Sequence, residues 1–78
     1  MNRTDANALA AALDRGAADK TKAARSGDAV AADPTNDDLT RRQASAAARI
    51  LRGQAHDMRA DAAAIRNGAN PTDLGYTD

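Results

Sequence analysis

The sequence predicts an all-α fold: a long antiparallel hairpin of two helices followed by a short extended C-terminal tail. Alanine, the strongest helix former, occupies 22 of the 78 positions. Only two prolines interrupt the chain, at Pro34 and Pro71. Between them, small and apolar residues recur at alternating spacings of four and three, which is typical of a helix with one buried side. Residues 1–78 are therefore expected to form a single small helical unit.

The first helix is expected to begin near Thr4, a residue type that accepts hydrogen bonds from the free amides of a helix N-terminus. Asp5 follows in the first turn, where the helix dipole favours negative charge. The sequence is compatible with two ends for this helix. It either stops near residue 26, with Gly27 as its terminal glycine, or continues to residue 32.

Residues 33–38 form the predicted turn. Pro34 disfavours helical geometry at Asp33. Thr35, followed three residues later by Asp38, approximates a capping box, in which two residues satisfy free amides at a helix start. The second helix is therefore expected to begin here and to cover about residues 36–67.

The predicted tail covers residues 69–78. It follows Gly68, a natural helix terminator, and it contains the helix-stopping Pro71. Leu74 and the only aromatic residue, Tyr76, alternate as they would in an extended segment. Aromatic side chains often anchor contacts, so these two residues are predicted to anchor the tail on the hairpin or on a partner.

One side of the second helix carries an unbroken heptad pattern. Its members alternate small and mostly larger residues, and they are Ala44, Ala48, Leu51, Ala55, Met58, Ala62, Ile65 and Ala69. The larger ones, Leu51, Met58 and Ile65, are predicted to hold the hairpin together against Leu9 and Leu13 of the first helix. Further inward positions expected on that helix are Gly16 or Ala17, Ala23 or Ala24, and Val30.

A second heptad pattern lies about 160° around the same helix. It consists of small residues, one isoleucine and one aspartate: Ala46, Ile50, Gly53, Asp57, Ala60 and Ala64. A glycine inside a helix costs about 1 kcal/mol relative to alanine, and close approach of another backbone would explain it. Ile50, Gly53 and Ala60 are therefore predicted to form a second docking seam. The alternative is that these residues are simply exposed to solvent and have no docking role.

A stripe of basic residues lies on one flank of the second helix, between the two heptad patterns. They are Arg42, Arg49, Arg52, His56, Arg59 and Arg66. The arginine guanidinium pairs well with carboxylates and phosphates, so the five arginines are candidates for contact with an acidic partner or a phosphate. The alternative is a solvated flank paired with aspartates of the first helix. No aromatic residue lies among the arginines to stack on bases, so nucleic acid is possible but not favoured.

Composition excludes several functional classes. Eleven basic residues balance eleven aspartates, and cysteine is absent, so neither a nucleic-acid condenser nor a thiolate metal site is indicated. His56 has no nucleophile or orienting acid at a catalytic spacing. We expect no enzyme activity, cofactor or metal. The sequence shows neither a secretion signal nor a membrane span, which favours a cytoplasmic protein or one inside an assembled particle.

The turn Pro34-Thr35-Asn36-x-x-Leu39 resembles the hairpin turn of type III secretion needle subunits, whose two helices stack into a filament. This resemblance covers residues 34–39 only, and the polar tail departs from such subunits. The alanine- and arginine-rich composition is also similar to that of small bacteriophage virion components.

A chain of this length supplies only about 3–5 kcal/mol from its core, and alanine adds little to that. We therefore expect a non-enzymatic structural protein, a small subunit or accessory component that packs against copies of itself or a larger protein. The alternative is a small regulatory binder, of the antitoxin or phage-encoded inhibitor type, that uses its arginines.

Overall fold

A computed structural model describes residues 1–76 of the chain. Helix α1 spans Arg3–Ala32 and helix α2 spans Asp38–Arg66. The two helices pack antiparallel along their length, giving a rod of 51 × 18 × 17 Å. The all-α hairpin predicted from the sequence is confirmed. Helix α1 continues through Gly27 to Ala32, so the longer of its two expected ends is the one observed.

The α1 N-cap is Asn2, two residues before the expected Thr4. The side chain of Asn2 accepts a hydrogen bond from the Asp5 amide at 2.8 Å. Asparagine is among the strongest capping residues, whereas threonine is weaker. Thr4 therefore lies inside the first turn.

The α2 N-cap is Asp37, which accepts from the Thr40 amide at 2.7 Å. Thr35 does not cap the helix as expected. Its backbone amide and hydroxyl both donate to Asp33, at 2.9 and 2.7 Å, so its side chain is committed to the turn. This aspartate-centred turn begins directly after α1 ends and reverses the chain.

Beyond α2, the tail folds into a single 3-10 turn at Pro71–Leu74 where an extended segment was expected. Asn70 accepts from the Thr72 amide at 3.1 Å, which starts the turn. Gly75 ends it with a φ of 97°, a left-handed conformation that glycine adopts without strain.

The contact between the helices is built on alanine at every seventh position. The fully buried alanines of this repeat are Ala10, Ala17 and Ala24 on α1 and Ala48, Ala55 and Ala62 on α2. Small side chains let the backbones approach closely. A Cβ placed on Gly27 would lie 3.0 Å from the Ala44 carbonyl oxygen and 3.4 Å from the Ala48 Cβ.

Val30 is not an inward residue, contrary to the sequence-based expectation, and is 37% exposed. The α1 heptad continues from Ala24 through Gly27 to Ala31, all of which are buried or half-buried. Val30 lies one position before Ala31, so the helical rotation turns it away from α2.

Large apolar side chains collect at the end of the rod that holds Met1 and Tyr76. Leu13 and Ile65 are buried there, and Ile65 is the largest fully buried side chain of residues 1–76. Met1, Leu9, Met58 and Tyr76 pack around them. We call this part the terminal half, and the part between it and the 33–37 turn the turn half.

Candidate docking surface on the second helix

Helix α2 has an exposed side that α1 does not cover, which we call the outer face. Its residues are Leu39, Ala46, Ile50, Gly53, Asp57, Ala60 and Ala64, and all are exposed except the half-buried Ala64. Ile50 is 62% exposed and Leu39 is 60% exposed, more than any other large apolar residue among 1–76. The outer face thus contains the predicted docking residues Ile50, Gly53 and Ala60, and the hairpin leaves all three uncovered.

Leu39 was not included in the second seam predicted from the sequence. It lies seven residues before Ala46, so it occupies the same heptad position one repeat earlier. The predicted seam began at Ala46, although Leu39 lies within the predicted second helix of residues 36–67. With α2 beginning at Asp38, the outer face starts in the first turn of the helix.

Gly53 differs from the other two helical glycines. A Cβ on Gly16 would overlap the Met58 side chain, and one on Gly27 would press on α2. By contrast, no heavy atom lies within 4 Å of a Cβ placed on Gly53. Packing within the hairpin therefore gives no reason for glycine at this position, although glycine weakens the helix by about 1 kcal/mol relative to alanine.

Three of the stripe arginines reach across the hairpin to α1. They are spaced by seven on α2, and their acceptors are spaced by seven on α1: Arg52 donates to Asp28, Arg59 to Thr21, and Arg66 to Asp14. This ladder follows one edge of the interface between the helices. These guanidinium groups already have polar partners inside the chain.

The remaining stripe residues lie farther from α1. Arg42 pairs with Asp38 of its own helix at 2.7 Å, with both side chains highly exposed. Arg49 has no hydrogen bond or ion pair with any of residues 1–76, and His56 is exposed. Of the five arginines proposed to contact a partner, Arg49 is thus the one without a polar partner in the described part of the chain. Arg59 meets only the neutral hydroxyl of Thr21, and the other three pair with aspartates.

The ladder is a surface feature. The side chains of Arg52 and Asp28 are 47% and 49% exposed. The hydrogen bond from Arg52 lowers the pKa of Asp28, and the same bond raises the pKa of Arg52. Because both groups remain in contact with water, such a pair contributes little stability.

Tyr76 anchors the tail on the hairpin, whereas Leu74 stays 38% exposed. The ring of Tyr76 packs against the core of the terminal half, and its hydroxyl donates to Asp61 Oδ2 at 2.7 Å. This hydrogen bond to a carboxylate raises the pKa of Tyr76. Asp61 is therefore held as an acceptor in a structural contact.

Within residues 1–76, no three histidine or aspartate side chains come together as metal ligands. Ser26 donates to the Lys22 carbonyl oxygen of its own helix. Neither helix of this part of the chain is both long and apolar enough to cross a membrane. The most distinctive surface is thus the outer face, which combines exposed apolar groups with an unexplained glycine.

No protein-family model, curated protein or solved structure matches this chain.

Proposed function

We propose that this chain is a non-enzymatic assembly protein, a small helical subunit or accessory component that docks through the outer face of α2. The observation that carries the proposal is the exposure of Leu39 and Ile50 on one face of α2. Gly53, one turn after Ile50, lies on the same face. Large apolar residues that stay exposed on one side of a helix are typical of interaction sites. The partner is another protein surface, either a copy of this chain or a larger component.

Docking through the outer face would add apolar burial that the free hairpin lacks. Covering a leucine or isoleucine side chain contributes about 1.5–3 kcal/mol. That is of the same order as the whole core stability of about 3–5 kcal/mol expected for such a small chain. Covering the outer face would therefore stabilise the hairpin substantially.

The regulatory binder that uses its arginines has less support. Arg52, Arg59 and Arg66 donate to side chains of α1, so their engagement by a partner would require these contacts to be exchanged. The outer face needs no such exchange. The alanine- and arginine-rich composition favours a bacteriophage particle as the setting of the assembly.

The outer face is tested with Gly53→Leu in the purified chain. A leucine at this place should block close docking, while circular dichroism shows unchanged or increased helix content, because nothing in the hairpin obstructs the new side chain. Association is measured by sedimentation equilibrium from micromolar to near-millimolar concentration. Ala29→Leu, at an exposed position on α1, is the matched control and should associate like the unmodified chain.

Two results would contradict the proposal. One is a chain that stays monomeric throughout this concentration range and is nevertheless fully helical and thermally robust without a partner. The other is association that persists unchanged in Gly53→Leu and in the double variant Leu39→Ser, Ile50→Ser.

A further inference from the structure

We infer that the outer face docks on a second copy of the same chain, with the two α2 helices antiparallel and crossing at Gly53. This inference rests on the proposed function and specifies its partner. Its basis is an arrangement of charges around Gly53 that is complementary to itself.

Arg49 and Asp57 lie four residues before and four residues after Gly53. At a rise of 1.5 Å per residue, each is about 6 Å along the helix axis from the glycine. Both side chains are exposed, and neither has a polar partner among residues 1–76. Asp57 within the outer face and Arg49 on the basic flank beside it thus place one negative and one positive charge, each without a polar partner, symmetrically about Gly53.

Two copies related by a two-fold axis can meet in two ways. In a parallel pair, each residue faces itself, so Arg49 opposes Arg49 and Asp57 opposes Asp57, which is repulsive. In an antiparallel pair centred on Gly53, Arg49 of each copy lies at the height of the second copy's Asp57. The long arginine side chain can reach across a narrow contact to that carboxylate. Charge complementarity therefore selects the antiparallel arrangement.

The apolar residues agree with this arrangement. Ala46 and Ala60 lie seven residues on either side of Gly53, so each comes opposite the other in the second copy. Both are small, and together with Gly53 they allow close approach of the two backbones. Ile50 lies only about 4.5 Å along the axis from the crossing point, where the second copy covers it. The contact uses no residue that the hairpin needs for its own core.

A phosphate-bearing partner fits this face less well. Asp57 lies within the face, and it would repel a phosphate backbone. Arg49 alone among the stripe arginines lacks a partner in the described chain. A surface with one free charge of each sign matches a surface with the same two charges in reverse order.

The test is charge reversal at each position, separately and together. In an antiparallel pair of Arg49→Asp chains, the new aspartate of each copy faces Asp57 of the other copy. In a pair of Asp57→Arg chains, the new arginine of each copy faces Arg49 of the other copy. Each single variant should dimerise at least about tenfold more weakly than the unmodified chain. A mixture of the two single variants should form a heterodimer, because every opposed pair then carries opposite charges. The double variant, Arg49→Asp with Asp57→Arg, should form a homodimer again.

Mass and pairing are read by sedimentation equilibrium and by native mass spectrometry with one variant isotopically labelled. The expected particle has twice the 8.1 kDa mass of the chain. Arg15→Asp and Asp19→Arg provide matched controls, since both residues are exposed on α1 and lack partners among residues 1–76. These controls should dimerise like the unmodified chain.

The outcomes separate this inference from the proposed function. Loss of association in Gly53→Leu, without preferential pairing of the two reversed variants, would overturn the antiparallel dimer and leave docking through the outer face standing. A stoichiometry other than two would also overturn it. Association indifferent to Gly53→Leu would overturn the antiparallel dimer, and association indifferent also to the Leu39→Ser, Ile50→Ser double variant would overturn both.

Discussion

The two halves of the hairpin use the same heptad in different ways. In the terminal half, Leu13 and Ile65 are buried and further large side chains surround them. In the turn half, the buried positions are alanines such as Ala24 and Ala48, and the half-buried Gly27 lies close to α2. One half is held by apolar bulk and the other by close approach of backbones. A single repeat can therefore support two kinds of packing, which should respond oppositely to changes in side-chain size.

The largest expected effect is loss of bulk in the terminal half. Ile65→Ala removes the largest fully buried side chain of the described residues, and should lower the free energy of unfolding by about 2–5 kcal/mol. Leu51→Ala, at a half-buried position in the turn half, should cost less. Urea titration followed by circular dichroism measures both. Equal losses in the two variants would show that the halves do not differ as described.

The second effect is the addition of bulk to the turn half. Ala48 is 1% exposed and lies against the Gly27 backbone, so Ala48→Leu should force the helices apart and cost about 1–3 kcal/mol. Ala29→Leu, at an exposed position on the same half, should change stability little. Thermal unfolding of the two variants provides the comparison. An Ala48→Leu chain as stable as the unmodified one would argue against close approach.

The third effect concerns alkaline pH and the terminal half. The pKa of Tyr76 is raised in the folded state by its hydrogen bond to Asp61. The stabilisation is therefore fully present below the ordinary tyrosine pKa of about 10 and is lost as pH rises through the higher folded value. Tyr76→Phe should cost about 0.5–1.5 kcal/mol at neutral pH. The difference between the variant and the unmodified chain should shrink in alkali, and a constant difference would contradict the assignment.

The smallest effect concerns acid and the turn half. Hydrogen bonds lower the pKa values of Asp28, Asp33 and Asp37, which all lie near the turn: Arg52 donates to the first, Thr35 to the second and the Thr40 amide to the third. Lowered pKa values give stability that is present above the ordinary carboxyl value of about 4 and is lost as pH falls through the folded values.

Asp28→Asn tests this acid response. The variant should melt slightly below the unmodified chain at neutral pH, and the two melting temperatures should converge once the pH falls below the lowered folded pKa of Asp28, where both side chains are uncharged. Asp19→Asn, at an exposed mid-helix residue that has no polar partner among residues 1–76, is the control. A gap that persists in strong acid would show that the ion pair is not its cause.

The second helix was the more predictable part of the fold because its 4-3 spacing is unbroken. All eight positions of its inner heptad, from Ala44 to Ala69, are buried or half-buried. The first helix contains too many alanines for its inward face to be unique, and for this reason Val30 was misplaced. The capping residues were also missed, because Thr4 and Thr35 compete locally with better-placed Asn2 and Asp37.

The candidate site was predictable only in part. The spacing of Ile50, Gly53 and Ala60 identifies one face of α2 without reference to any other segment. The arginine stripe was harder to interpret, since its acceptors lie on α1 and depend on the alignment of the two helices. Only the structure shows that Arg52, Arg59 and Arg66 meet partners there.

The notch at Gly16, which receives the end of the Met58 side chain, has a consequence for folding. An alanine repeat looks alike after every shift of seven residues, so the helices could slide by one repeat and still match small residue to small residue. After such a slip Met58 would meet Leu9 or Ala23, whose side chains would fill the space that the glycine leaves empty. The methionine and its notch therefore select one alignment from several that the alanines alone would accept.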